Sequence, residues 1–289
     1  MGNEKQILNY GSWPSPISAQ WLGQRLRLES LQWTPNGRAL IWLEGRSGQG
    51  MLVQQVIGGG RRDLLQEQSA RGGLLYGGGE YGLGRDSIFY IDCGKQLCRA
   101  GLERGEPSAL SDESCWLAAP TPSPDGRWLA VICSDGQQDW LALFDAAELR
   151  PPVRLAKGAD FYMQPAWSPD GSLLAWVEWD HPNMPWDTTR IMLARLAGTP
   201  PRIAESQQIA GDGKANLTQP RFSPDGRWLS YITTRGDWEV LMLYDLASGE
   251  RRALLEDERV LLSSPAWVQG VSSTAWNYSS ERIFAILSY

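Results

Sequence analysis

Pro165-Ala166-Trp167-Ser168-Pro169-Asp170-Gly171, followed by Ser172-Leu173-Leu174-Ala175-Trp176-Val177, decides how the chain is read, because it recurs. Pro220-Arg221-Phe222-Ser223-Pro224-Asp225-Gly226 leads into Arg227-Trp228-Leu229-Ser230-Tyr231-Ile232. Pro120-Thr121-Pro122-Ser123-Pro124-Asp125-Gly126 leads into Arg127-Trp128-Leu129-Ala130-Val131-Ile132. A weaker copy, Leu31-Gln32-Trp33-Thr34-Pro35-Asn36-Gly37, precedes Arg38-Ala39-Leu40-Ile41-Trp42-Leu43. The later copies stand about 45 and 55 residues apart and the first two about 90, so one degenerate copy belongs in that gap. Tyr76-Gly77-Gly78-Gly79 ahead of Ser87-Ile88-Phe89-Tyr90-Ile91 fits it.

The repeated residues spell a turn and a strand. Pro presets φ at the first central position, Asp bonds the backbone ahead, and Gly accepts a positive φ. The run that follows is aromatic and β-branched, as a buried strand requires. A second apolar run then ends in a polar turn, as in Leu241-Met242-Leu243-Tyr244-Asp245-Leu246-Ala247-Ser248-Gly249-Glu250. Each unit thus reads as four short strands, the size of one propeller blade. The fold class predicted is all-β, a β-propeller of four-stranded blades behind a lead-in segment, 1–25. The blades fall at 26–66, 74–110, 116–157, 162–210 and 217–256, with an incomplete sixth at 264–289 that carries Pro265-Ala266-Trp267. An unfinished blade leaves strand edges unpaired, which natural proteins avoid, so a truncated seven-bladed ring is the expectation.

Composition narrows the class. The chain has 289 residues, 42% of them hydrophobic and 21% charged, as a soluble globular protein does. Its 31 glycines and 18 prolines supply the turns that short strands need. Fifteen tryptophans suit interfaces between stacked sheets. The net charge is −6, with Lys and Arg scattered, so nucleic acid is not expected as a partner. No run reaches the length of a membrane helix and no signal peptide is evident, so no membrane partner and a cytoplasmic location are expected. Cys93, Cys98, Cys115 and Cys133 form no paired CxxC units, and His181 is the one histidine, so neither a metal site nor a cofactor is expected.

Gly11-Ser12-Trp13-Pro14-Ser15-Pro16-Ile17-Ser18, Tyr76-Gly77-Gly78-Gly79 and above all Trp179-Asp180-His181-Pro182-Asn183-Met184-Pro185-Trp186-Asp187 resemble bacterial acylaminoacyl-peptidase-like members of the prolyl oligopeptidase family. The resemblance runs in order along nearly the whole chain. It implies a propeller that caps a C-terminal α/β-hydrolase domain bearing a Ser-Asp-His triad and admits only short or N-terminally blocked peptides. The chain covers most of such a propeller and none of the hydrolase. It has no Gly-x-Ser-x-Gly elbow, so no catalytic residue is expected and the chain alone is read as non-enzymatic. The missing hydrolase domain and short peptides are the implied partners. The Glu-Glu pair of dipeptidyl-peptidase propellers is absent, which favours the acylaminoacyl or oligopeptide-cleaving relatives.

The candidate site is the loop 180–187, between strands expected at 173–179 and 188–196. Asp180, His181, Asn183, Trp186 and Asp187 are its interface candidates, toward substrate or toward the catalytic domain. The alternative is a self-satisfied loop, with Asp bonding backbone amides and both Trp rings packed on the neighbouring blade. Two rival functions stay open: a free-standing TolB- or WD40-like interaction scaffold, and a remnant without activity.

Overall fold

The computed structural model describes residues 26–288 except 66–67, 75–76 and 104–105, together with 9, 11 and 18. Most of the lead-in segment, residues 12–17 of the opening run and Tyr76 therefore lie outside the described residues.

Among those described there is no helix. The first sheet holds β1 (Arg27–Trp33), β2 (Ala39–Arg46), β3 (Gln49–Val56) and β4 (Arg61–Asp63). The second holds β5 (Tyr81–Leu83), β6 (Ser87–Ile91), β7 (Leu97–Gly101) and β8 (Ser108–Ala109). The third holds β9 (Trp116–Pro122), β10 (Trp128–Ser134), β11 (Asp139–Asp145) and β12 (Val153–Ala156). The fourth holds β13 (Phe161–Trp167), β14 (Leu173–Trp179), β15 (Arg190–Ala197) and β16 (Arg202–Ala210). The fifth holds β17 (Leu217–Phe222), β18 (Trp228–Arg235), β19 (Trp238–Asp245) and β20 (Arg251–Glu256). A hairpin of β21 (Thr274–Trp276) and β22 (Ile283–Ala285) follows. Every pairing within these sheets is antiparallel between sequence neighbours, so the molecule is a β-propeller whose described residues form five four-stranded blades and a two-stranded sixth sheet.

The Ser-Pro-Asp-Gly turns join the first strand of a blade to the second by replacing missing ladder bonds with side-chain ones. Ser123 Oγ donates to Asp125 Oδ1 (2.5 Å), which also accepts from the Arg127 amide at 3.0 Å. The Trp128 amide donates to Ser123 Oγ at 3.0 Å, and Gly126 closes the turn at φ 71°. Ser168 and Asp170, Ser223 and Asp225, and Thr34 and Asn36 repeat the arrangement. The sixth sheet carries a copy that its sequence disguises. Asn277 Oδ1 accepts from the Arg282 amide at 2.9 Å, and Ser280 takes the glycine position at φ 62°. Trp276 therefore occupies the place that Trp167 holds in its blade, and Pro265-Ala266-Trp267 lies outside any strand.

Alternation along each second strand glues the blades. Leu229 and Tyr231 pack toward the fourth blade with Phe161, Val177 and Trp179, whereas Ile232 packs with Val260, Leu262 and Ile283 on the other side. Trp176 and Leu174 face the third blade. Each fully buried aliphatic side chain in these seams contributes about 1.5–3 kcal/mol. Seven of the tryptophans illustrate two roles. Trp176 and Trp179 are fully buried, but Trp42, Trp116, Trp128, Trp140 and Trp228 lie flat beneath Arg or Lys heads, Arg154 being 4.1 Å from the Trp140 ring centre.

The innermost strands bulge at equivalent residues, Ser30, Ala119, Gln164 and Gln219, all with φ between 53° and 56°. The extra residue turns backbone and side-chain amides toward the next blade. Gln164 Oε1 accepts from the Gln219 amide (2.6 Å) and Thr218 Oγ1 (3.0 Å); Gln219 Oε1 in turn accepts from the Ser273 amide (2.8 Å). Gln269 donates to the Tyr162 carbonyl at 2.8 Å and pairs with Gly78 of the second blade's lead-in. A Cβ on Gly78 would stand 2.3 Å from the Gln269 carbonyl oxygen, so glycine there permits a backbone approach no other residue allows.

Candidate functional site

The loop 180–187 joins β14 to β15, the second and third strands of the fourth blade. In an up-and-down blade this connection lies on the face opposite the Ser-Pro-Asp-Gly turns, together with the blade-to-blade crossings. The third strand begins at Arg190, two residues later than its hydrophobic pattern suggests, because Thr189 is used to reach the fifth blade: its hydroxyl donates to the Leu217 carbonyl at 2.6 Å.

All five candidate residues sit in this loop, and Asp180, Asn183 and Asp187 each spend side-chain atoms on hydrogen bonds within the protein. Asp180 Oδ2 accepts from Arg190 Nη1 at 2.6 Å, and its Oδ1 accepts from the Asp160 amide at 3.1 Å. Burial works to raise this carboxyl, yet the Arg190 guanidinium and the Asp160 amide hold it below the usual carboxylate range. Arg190 also donates through Nε to Glu178 Oε1 (2.8 Å), whose other oxygen accepts from the Trp176 indole at 2.7 Å. Burial opposes the charge on Arg190, and the two carboxylates outweigh it and raise its proton affinity. The His181 amide donates to Asp160 Oδ2 at 2.9 Å, while its ring meets Phe161 edge-on at 4.8 Å. Asn183 donates to the Asp180 carbonyl at 3.2 Å, and Asp187 accepts from the Met184 amide at 2.8 Å.

Trp186 is placed differently from its neighbours. Its ring lies 4.2 Å from that of Trp267, more than eighty residues away in the segment that crosses to Gln269. Trp267 is 61% exposed and Met184 44%, and Val268 is exposed beside them. The loop and the 267–269 segment together make an apolar ledge on one face of the propeller. Trp267, Arg190 and Asp160 were not among the residues that the motif singles out. The charge pair Asp180–Arg190 across a loop was the only signal for Arg190, and nothing local marks Trp267 as its partner.

Cys98 and Cys133 are buried, Cys115 is half-buried and Cys93 is exposed; all four are free thiols. Burial pushes the Cys98 thiol up to about 12, so it is a packing residue rather than a nucleophile. No described helix is long and apolar enough to cross a membrane.

No protein-family model and no curated protein matches the chain. Among solved structures, a puromycin-hydrolysing peptidase of Mycobacterium tuberculosis aligns with a TM-score of 0.79 at 27% identity, over 96% of this chain and 46% of that one. A puromycin hydrolase aligns with a TM-score of 0.80 at 22% identity, over 93% and 45%. TolB from Acinetobacter baumannii aligns with a TM-score of 0.58 at 16% identity, over 78% and 53%, a likeness of fold alone. The chain spans a little under half the length of the puromycin-hydrolysing peptidase and of the puromycin hydrolase. In fold, and with 27% identity along nearly its whole length, the chain is similar to the propeller portion of a puromycin-hydrolysing peptidase.

Proposed function

We propose that the chain is the non-catalytic propeller of a serine peptidase of the prolyl oligopeptidase family, which gates access of short or N-acylated peptides to an α/β-hydrolase domain outside these residues. The observation that carries the reading is the alignment over 96% of this chain and only 46% of the peptidase. The ledge of Trp186, Trp267 and Met184 supplies an apolar face on which a second domain can bury surface, with Asp180, His181, Asn183 and Asp187 holding the loop in shape beneath it. Two apolar rims support completion of a six- or seven-bladed ring by further strands: Leu31 of β1 is 65% exposed and Phe284 of β22 is 64% exposed. The parent enzyme works in the cytoplasm on this reading.

The size of the native product in its source cells tests the proposal, with an antibody raised against this chain. A band at about 70 kDa, the size of a propeller plus a hydrolase domain, is expected. In that full-length protein, Trp267→Ala should lower peptidase turnover without a matching loss of propeller stability. A band at 32.2 kDa alone would sink the proposal and leave a free-standing scaffold.

A further inference from the structure

Two of the four free thiols, Cys115 and Cys133, share one face of one sheet. Cys133 lies in β10 opposite Leu117 of β9. Side chains alternate along a strand, so Cys115, two residues before Leu117, falls on the same face. It is the diagonal neighbour of Cys133, a relation in which long side chains still meet across strands. Packing agrees with the register. Both residues join the cluster that fills the seam between the second and third blades, Cys133 fully buried and Cys115 at its half-buried margin. Cys98 belongs to the cluster between the first and second blades, and Cys93 is exposed in the turn after β6.

The surroundings give the two thiols different characters. Trp140 stands opposite Cys133 in the β10–β11 ladder, and the Arg154 guanidinium lies 4.1 Å from its ring centre, which brings a cation beside the pair. The Cys133 thiol, helped by Ser114 and Arg154, holds the Cys115 thiol below its ordinary range, against burial and the Asp112 charge. Burial pushes the Cys133 thiol well up. Cys115 follows the exposed residues Asp112, Glu113 and Ser114 and lies outside any strand, so a small solute meets it before Cys133. An accessible thiol with thiolate character beside a sheltered second thiol is the arrangement in which oxidation ends in a disulfide.

We propose that Cys115 and Cys133 form a reversible redox site, in which Cys115 reacts with a peroxide and Cys133 converts the product to a disulfide. The Cys115 thiolate attacks one oxygen of hydrogen peroxide and becomes a sulfenic acid. The O–O bond breaks, and the departing hydroxide takes up the proton that Cys115 released. The Cys133 sulfur then displaces the sulfenic hydroxyl, which leaves as a second water with the Cys133 proton. Two thiols lose two electrons and one peroxide gains them. Cys115 sits in a bend ahead of β9, so bringing the sulfurs together moves that bend and leaves the ladder in place. The disulfide ties the segment that crosses from the second blade to the centre of the third. The site stands whether or not the peptidase reading holds.

Hydrogen peroxide given to the folded, reduced 289-residue chain tests it, followed by unfolding, alkylation and tryptic mass mapping. Cleavage after Arg127 puts the two cysteines on separate peptides, so their disulfide shows as one linked species about 2 Da lighter than the reduced peptides together. That species is expected in the wild type and in Cys93→Ser, and dithiothreitol should return both cysteines to alkylatable form. In Cys133→Ala, oxidation should halt at the sulfenic acid and dimedone should label Cys115. Cys115→Ser covers the case of an Ala variant that does not fold: its Cys133 should stay reduced at peroxide levels that oxidise the wild-type pair. Oxidation of Cys133 without Cys115 would overturn the proposal. So would peroxide that leaves both cysteines as alkylatable as before, links either to Cys93 or Cys98, or drives Cys115 to a sulfinic acid beside a reduced Cys133.

Discussion

Replacing Asp139 by Asn should stabilise the protein at neutral and alkaline pH and do nothing at pH 3.5. Asp139 opens β11, 9% exposed, opposite Ser134 in the ladder and with its amide directed to the Asp160 carbonyl. Burial pushes its carboxyl up from 3.8 to about 6; the Ser134 hydrogen bond works against the rise and the Asp135 charge adds to it. The direction of the pH effect follows from comparing the two states. Below 3.8 the carboxyl is protonated folded or unfolded, and the fold bears no penalty. As pH rises through about 6 the folded protein must hold a buried carboxylate, and stability is lost. A shift of that size corresponds to about 3 kcal/mol between the two ends of the range. Asn keeps the shape and the hydrogen-bonding capacity without the charge. Tryptophan fluorescence during urea unfolding, at pH steps from 3.5 to 8, gives the stability of each protein. The other carboxylates titrate in both and cancel in the difference. That difference should grow from near zero to as much as about 3 kcal/mol in favour of Asn, turning over near pH 5. A difference that is flat with pH, or one that moves in favour of Asp as pH rises, would refute the reasoning.

Three further substitutions probe the turn chemistry, the loop and the axis. Ser47→Asn, in the two-residue Ser47-Gly48 turn where both residues have positive φ, should raise stability by about 0.5–1 kcal/mol in urea unfolding, because Asn-Gly is the pair this hairpin turn prefers. Asp180→Ala should lower stability by about 1–3 kcal/mol by stranding the Arg190 guanidinium and the Asp160 amide, and Arg190→Met in the same chain should recover part of that loss. Gly78→Ala should cost at least about 2 kcal/mol, read as a drop in Tm, since its Cβ would meet the Gln269 carbonyl at 2.3 Å and its φ is 75°.

The blades were legible because their turns carry their own hydrogen bonds. A Ser or Thr two residues before an Asp or Asn accepts the strand amide that the turn would otherwise orphan, and the Gly that follows must have positive φ. Those demands leave a fingerprint in four places, at Thr34, Ser123, Ser168 and Ser223. The turn at Asn277 meets the same geometry with one side chain, Asn277 accepting both the Glu281 and Arg282 amides, and with Ser280 in place of glycine. Its residue types match none of the others, so pattern reading moved to the look-alike Pro265-Ala266-Trp267. The tryptophans misled for a related reason. Their count signals large apolar faces, but an indole under an Arg head satisfies the same composition as one between blades.

The loop 180–187 shows where sequence reasoning stops for a site. Its length, its prolines and its two aspartates mark it as more than a hairpin, and the structure uses the aspartates as the self-satisfied alternative foresaw: each accepts a backbone amide. Had both tryptophans also been buried against the neighbouring blade, the loop would be fully explained by its own folding. Trp179 meets that description, fully buried in one cluster with Leu229 and Tyr231 of the fifth blade. Trp186 does not, because its partner is Trp267, itself 61% exposed. Burial of apolar surface alone does not account for a half-buried ring resting on one that is 61% exposed, and contiguous exposed apolar surface is the kind on which partners bind. On the function proposed above, the frame of Asp180, Arg190 and Glu178 would serve more than stability. By fixing the loop that carries Trp186 against Trp267, it would keep a surface built from two distant parts of the chain in shape before a partner arrives.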